Sequence, residues 1–331
     1  MVPLPLPPPP SPPPLAAAPL PGADARPAAL IQLRGAPLAG GEATGSVTLP
    51  LQRPPGGDTP LLVFRASGGP VRLLLDTGAS STMVTPDLVG RLDLPTLAVP
   101  AGGFDLAGGG SACAELRPRR TLLPPLELRD ERDGQGRLRL VGAEALVMPA
   151  GALPDGVDGV LGAPSLRRLP LHVDPLRARL SLGAAALEAA AAMPPPRLRI
   201  PLRWRKGVPL LTLTSVAGPV EALADTGAEG LFLHPDLAAR LHPLGPVRPV
   251  RLVGFCGEQA VQRRPFTGLA LPGEPLPGAV EGMPVRPLEG VITENPIFAQ
   301  LGVEAIVGQE LLRQRPQLWR LDLAPPRLEL W

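Results

Sequence analysis

Two carboxylates occupy the same four-residue setting: Asp76 in Asp76-Thr77-Gly78-Ala79 and Asp225 in Asp225-Thr226-Gly227-Ala228. Each closes a short apolar run, VRLLLD and VEALAD, so each is delivered at the end of a strand. The Gly two residues on allows a tight turn with close backbone approach. Two such carboxylates brought face to face cannot both ionise cheaply, and the pair holds one proton between them. A pair of that kind accepts a proton on one oxygen and donates one from another, which is what general acid–base catalysis on a water molecule requires. One such motif is a weak signal. Two are a strong one.

The elements around the motifs repeat as well. Asp76 and Asp225 lie 149 positions apart, and at that offset 16 of the 33 residues between 60 and 92 are identical to their partners without a gap. Pro60-Leu61-Leu62 matches Pro209-Leu210-Leu211, Gly69-Pro70-Val71 matches Gly218-Pro219-Val220, and Pro86-Asp87-Leu88 matches Pro235-Asp236-Leu237. So long a period indicates two similar lobes rather than a solenoid. In each lobe a strand, a glycine-containing turn and a second strand lead into the Asp. A short helix start follows, at Thr85-Pro86 and at His234-Pro235. A hairpin tip comes next, LAGGGSA at 106–112 and LVGFCGEQA at 252–260. An apolar-apolar-Gly segment and a final strand pair close the lobe, with Gly162 and Gly308 in corresponding places.

Composition supports an all-β chain of two domains. Of the 49 prolines, those outside residues 1–27 are scattered between short apolar runs, which suits strands and turns and excludes long helices. At 331 residues and 44% hydrophobic content the chain is large enough for two packed cores. Residues 1–27 hold 12 prolines and are expected to be disordered or polyproline II rather than a membrane span. They lack the basic start of a secretory signal, although a start codon lying upstream would leave export open. Residues 28–183 form the first expected lobe, the Ala- and Pro-rich 184–196 a linker, and 197–331 the second lobe. A net charge of +2 gives no electrostatic reason to expect nucleic acid or an acidic membrane surface as partner.

On these residues the chain resembles the aspartic peptidase superfamily over roughly 55–331. The spelling DTGA and the segment AIVGQELL are similar to the retroviral-type enzymes, and VDGVLGAPSL to the pepsin-like ones. The resemblance implies two retropepsin-like β-barrel lobes related by a pseudo-twofold axis, with an active-site cleft between them. It implies a polypeptide substrate, no metal or organic cofactor, and a monomer that is an internal pseudo-dimer. Asp76 and Asp225 would be the catalytic pair. Thr77 and Thr226 would brace the two loops across the axis, with Gly78, Ala79, Gly227 and Ala228 as loop support. Gly108-Gly109-Gly110 and Phe255 are candidate flap residues. The chain has no Tyr at all, so the flap tyrosine of the pepsin-like enzymes is missing.

The other polar residues read as structural. His172, His234 and His242 have no metal-ligand spacing. Cys113 and Cys256 read first as two unpaired thiols, with a disulfide between the lobes, which would require export, as the alternative. Two function classes remain: an endopeptidase that hydrolyses peptide bonds with this pair, and a catalytically silent module that binds peptides in the same cleft.

Overall fold

In a computed structural model of the chain, the described residues are 30–99, 105–108, 116–130, 136–149, 151–276 and 287–331. The hairpins expected before each Asp are present. Leu61–Ala66 pairs with Gly69–Asp76, setting Leu62 opposite Leu73 and Phe64 opposite Val71. Val208–Ser215 pairs with Gly218–Ala224 in the second lobe. Alternation along a strand sends Leu62 and Phe64 to one face, and both are buried. Truncating such a residue, as in Phe64→Ala, costs about 3–5 kcal/mol.

The apolar-apolar-Gly segments are the parallel neighbours of the strands that deliver the carboxylates. Gly159–Gly162 lies beside Gly69–Asp76 with Gly162 opposite Asp76, and Ala305–Val307 lies beside Gly218–Ala224 with Val307 opposite Ala224. These glycines are required by close approach. A Cβ on Gly162 would sit 2.6 Å from the Ser81 carbonyl oxygen, and one on Gly308 would sit 2.3 Å from that of Ala228. The helices after each motif are short, Pro86–Arg91 and Pro235–Arg240. Thr85 Oγ1 caps the first by accepting from Leu88 N, and His234 Nδ1 caps the second by accepting from Asp236 N.

The closing strands of both lobes merge into one sheet beneath the motifs. Its order begins Leu198–Pro201, Arg327–Leu330, Gln317–Arg320, Leu171–Asp174, Arg179–Leu182 and Gly40–Pro50, and continues through Arg137–Val147 to the strand Gly69–Asp76. The central pairing joins the lobes, with Leu171 opposite Trp319 and Val173 opposite Gln317. Trp319 is fully buried there and donates its indole N–H to Gln317 Oε1 at 2.9 Å. The protein is thus all-β apart from short helices, two barrel lobes set about a pseudo-twofold axis. Between the lobes, Ala184–Ala191 is a helix whose Ala186 is buried. It packs against the strands Gly40–Pro50 and Arg179–Leu182 and is not a free tether.

One expectation is overturned. Cys256 is disulfide-bonded rather than a free thiol. The chain's other cysteine, Cys113, lies outside the described residues. The physical reason is the reach of the second-lobe hairpin, Arg248–Gly254 with Gly257–Thr267. Its tip carries Val253 and Phe255 into an apolar cluster with Leu74, Met83 and Leu106 of the first lobe. Among the described residues no helix is long and apolar enough to cross a membrane.

Candidate active site

The two Asp-Thr-Gly-Ala turns meet at the pseudo-twofold axis and are joined by four reciprocal hydrogen bonds. Thr77 Oγ1 donates to the Ala224 carbonyl at 2.7 Å, and Thr226 Oγ1 donates to the Leu75 carbonyl at 2.8 Å. Each hydroxyl oxygen also accepts the other Thr's backbone N–H, at 3.0 and 3.1 Å. Both threonines are buried, so no water competes for these groups.

The turns bring the carboxyls together. A Cβ on Gly78 would fall 2.3 Å from Asp225 Cγ, so the first loop's glycine backbone packs directly on the second loop's carboxylate. Any larger residue at position 78 would expel it. Gly227 N–H donates to Asp225 Oδ1 at 2.8 Å. Both oxygens of Asp76 and the Oδ2 of Asp225 are buried with no hydrogen-bond partner. Buried carboxylate oxygens without partners are costly unless a proton is shared or a ligand is awaited.

Electrostatics follow from this placement. Burial first, then the charge of Asp225, push the Asp76 carboxyl well above its ordinary 3.8, and the nearby amides of Gly78 and Ala79 pull it back by less. Burial pushes Asp225 up to about 6 against the lowering effect of the Gly227 amide. The asymmetry has a visible source. The Gly227 N–H, 2.8 Å from Asp225 Oδ1, supports negative charge on that carboxyl more directly than the amides near Asp76 do, which favours ionisation at Asp225.

Ala79 and Ala228 are buried in the loops and bring no hydroxyl to either carboxylate. Phe255 is buried at the second-lobe hairpin tip. Gly108 ends the strand Asp105–Gly108, while Gly109 and Gly110 lie outside the described residues.

Three contributors escape a motif search. Glu229, directly after the second motif, crosses to the first lobe. It accepts from Asp58 N at 2.6 Å, from Thr59 N at 3.1 Å and from Thr59 Oγ1 at 2.7 Å. Gln309 Nε2 donates to the Thr226 carbonyl at 2.6 Å. Ser80, the first-loop counterpart of Glu229, is committed to the strand Leu30–Arg34: its N–H donates to the Leu30 carbonyl at 2.9 Å, and its Oγ accepts from Gln32 N at 2.6 Å. The only sequence signal for the Ser80 and Glu229 contacts is that the repeat breaks between them, Ser against Glu, immediately after four identical residues.

Residues 63–165 match the family model described as aspartyl protease, a span that carries Asp76 but not Asp225. No curated protein matches the chain. Among solved structures, basic 7S globulin from soybean aligns over 86% of this chain and 94% of its own at 13% identity and a TM-score of 0.48. Conglutin gamma, a basic 7S globulin from lupine seeds, aligns over the same shares at 11% identity and 0.49. The structure titled edgp does so at 11% and 0.46.

Proposed function

We propose that this chain is an aspartic endopeptidase whose Asp76 and Asp225 activate water against a peptide bond, a reading supported by the aspartyl protease match over residues 63–165. The observation that carries the reading is the pair of buried, partnerless carboxyls held across the axis by reciprocal threonine bonds. Asp225, the more readily ionised, takes a proton from a water held between the two groups. The water oxygen then bonds to the substrate's carbonyl carbon. Asp76, carrying the shared proton, donates it to the carbonyl oxygen as charge develops there. The resulting gem-diol returns a proton through the pair, the C–N bond breaks, and the amine leaves protonated.

The rigid part of the site serves this chemistry by position. The threonine bonds fix both strand ends, and Gly78 keeps the carboxyls within reach of one water. Both Asp residues are fully buried, an observation that also suits the second reading, a peptide-binding cleft without turnover. The test is cleavage of a denatured protein or peptide library between pH 5 and 8, with and without a statine transition-state inhibitor. Products abolished by the inhibitor and by Asp76→Asn support the peptidase. Peptide binding without products in any form supports the silent module.

A further inference from the structure

The sheet that joins the lobes has two unlike faces. From Leu171–Asp174 and Arg179–Leu182, the residues Leu171, Val173, Leu180 and Leu182 enter the main apolar core, which also holds Leu75 and Ala224 just ahead of the two motifs. Period-two alternation sends His172, Asp174, Arg179 and Ser181 to the other face. Strand pairing aligns them with their neighbours: His172 lies opposite Ser181, and Ser181 lies opposite Thr48 of Gly40–Pro50. Thr48 Oγ1 and Ser181 Oγ share a hydrogen bond of 2.9 Å across that row. The linker helix Ala184–Ala191 packs over all three strands. A polar row therefore lies beneath a helix built almost wholly of alanine.

The row opens on a cavity. Thr48, Ser181, His172 and Asp174 line a space of about 230 Å³, with the exposed Arg177 and Arg179 at its mouth. His172 is only 2% exposed, yet neither of its ring nitrogens has a hydrogen-bond partner. Trp331 packs edge-on against the imidazole at 5.8 Å between ring centres and satisfies neither nitrogen. Burial holds the imidazole below its ordinary 6.5, so near pH 7 it is neutral, with one N–H and one bare lone pair. A buried polar group left unpaired is costly, and one that lines a cavity is positioned for a ligand.

The charges around the cavity select the sign of that ligand. Asp174 is already committed: its Oδ1 accepts from Leu176 N at 3.1 Å and from Arg177 N at 3.0 Å, and its Oδ2 accepts from Arg177 Nη1 at 2.9 Å. With Asp174 and Arg177 cancelling, the lining keeps one positive charge, on Arg179. A metal ion would meet that charge with a single imidazole to bind it, whereas an anion is favoured. We infer that this cavity binds a small oxyanion, a phosphate or a carboxylate, held by Arg179, by the Thr48–Ser181 hydroxyl pair and by His172. One hydroxyl of the pair donates to the other and leaves a second O–H for the ligand, and the guanidinium fork suits either class of anion. The space is smaller than the roughly 300–1,000 Å³ of pockets for drug-sized ligands, which fits an ion with a few waters. The cavity and the core that carries the motifs lie on opposite faces of the sheet, so the site stands apart from the peptidase reading.

The test titrates the full chain with inorganic phosphate, and separately with acetate, near pH 7 and at constant ionic strength. Nuclear magnetic resonance follows the imidazole signals of the three histidines, assigned with His234→Gln and His242→Gln. The His172 signals should move saturably, with a Kd below about 1 mM for at least one of the anions, while His234 and His242 stay still. Arg179→Gln alters an exposed side chain, and unmoved His234 and His242 signals report that it is folded. It should weaken binding by about tenfold or more, and Ser181→Ala by about two- to tenfold. Tighter binding of phosphate than of acetate makes this a phosphate site and the reverse a carboxylate site, and either upholds the inference. Shifts that stay linear in concentration for both anions, as a cavity holding only water would give, overturn it. Equal affinity in wild type and Arg179→Gln overturns it too, as does saturation seen at His234 or His242 but not at His172.

Discussion

The two Asp-Thr-Gly-Ala loops share their first four residues and part company at the fifth, and that single difference divides their work. In the first loop Ser80 holds the backbone of Leu30–Arg34. In the second, Glu229 holds the backbone of Asp58 and Thr59 in the other lobe. The threonine bonds, by contrast, are almost the same length in both directions. A twofold core is kept where two carboxyls must meet. Symmetry is given up one residue later, where Ser80 and Glu229 bind different backbones.

The largest effect tests the part that is symmetric. Asp76→Asn and Asp225→Asn should each lower kcat/KM by about 10²–10⁴-fold, since either change removes half of one proton exchange. A variant that keeps a tenth of the wild-type rate would break the equivalence of the loops. The same variants report on stability. Both carboxyls titrate above 3.8 in the folded chain, so their contribution is fully present below about pH 4 and is lost as pH rises through about 6 and beyond. The thermal midpoint of either Asn variant should therefore match wild type at pH 4 and exceed it at pH 8.

Thr77→Val and Thr226→Val should each destabilise by about 2–4 kcal/mol in denaturant titrations. Each removes a hydroxyl bond and strands a buried N–H across the axis. The two losses should agree with each other. A marked inequality would mean that the grip is supported from one side only, for instance by Gln309 on the Thr226 carbonyl.

The fifth position should behave unequally. Glu229→Ala is expected to cost about 1.5–3 kcal/mol, because a carboxylate that gathers three donors is lost at the lobe junction. Ser80→Ala should cost only about 0.5–1.5 kcal/mol and should act through the strand it holds. Global unfolding by circular dichroism measures both, and hydrogen exchange at Ile31 and Gln32 should respond to the serine change alone. Equal exchange in the two variants would erase the proposed division of labour.

The smallest expected effect is on pH dependence. With burial pushing Asp225 up to about 6 and Asp76 also raised, the acid limb of kcat/KM should fall near pH 6. Ala228→Ser supplies a hydroxyl beside Asp225 and should move that limb to lower pH by less than about one unit. Ala79→Ser should act on the Asp76 side. An unmoved profile in both would sink the hydrogen-bond explanation of the raised values while leaving the pair itself in place.

Much of this molecule is written locally. The hairpins before each Asp follow from apolar runs broken by glycine turns, and the caps at Thr85 and His234 from a polar residue set before Pro. The expectation for the cysteines failed because nothing near Cys256 in sequence says that its hairpin tip reaches the other lobe. The strand Leu30–Arg34 was equally hidden. A short apolar stretch after a proline-rich segment has no pattern that names Ser80, 48 residues on from Gln32, as its partner.

By itself the sequence determined that there are two lobes, where each carboxylate falls, and that each sits at the end of a strand beside glycine. Those are consequences of repeat, period and turn chemistry, which act over a few residues. Only the tertiary structure decided that the carboxyls lose their solvent together, that Glu229 binds the opposite lobe, and that Leu30 and Ile31 are buried in two different apolar clusters. Those depend on which surfaces remain uncovered once two barrels dock, and contacts spanning 170 residues are selected by that shape and not by any local preference.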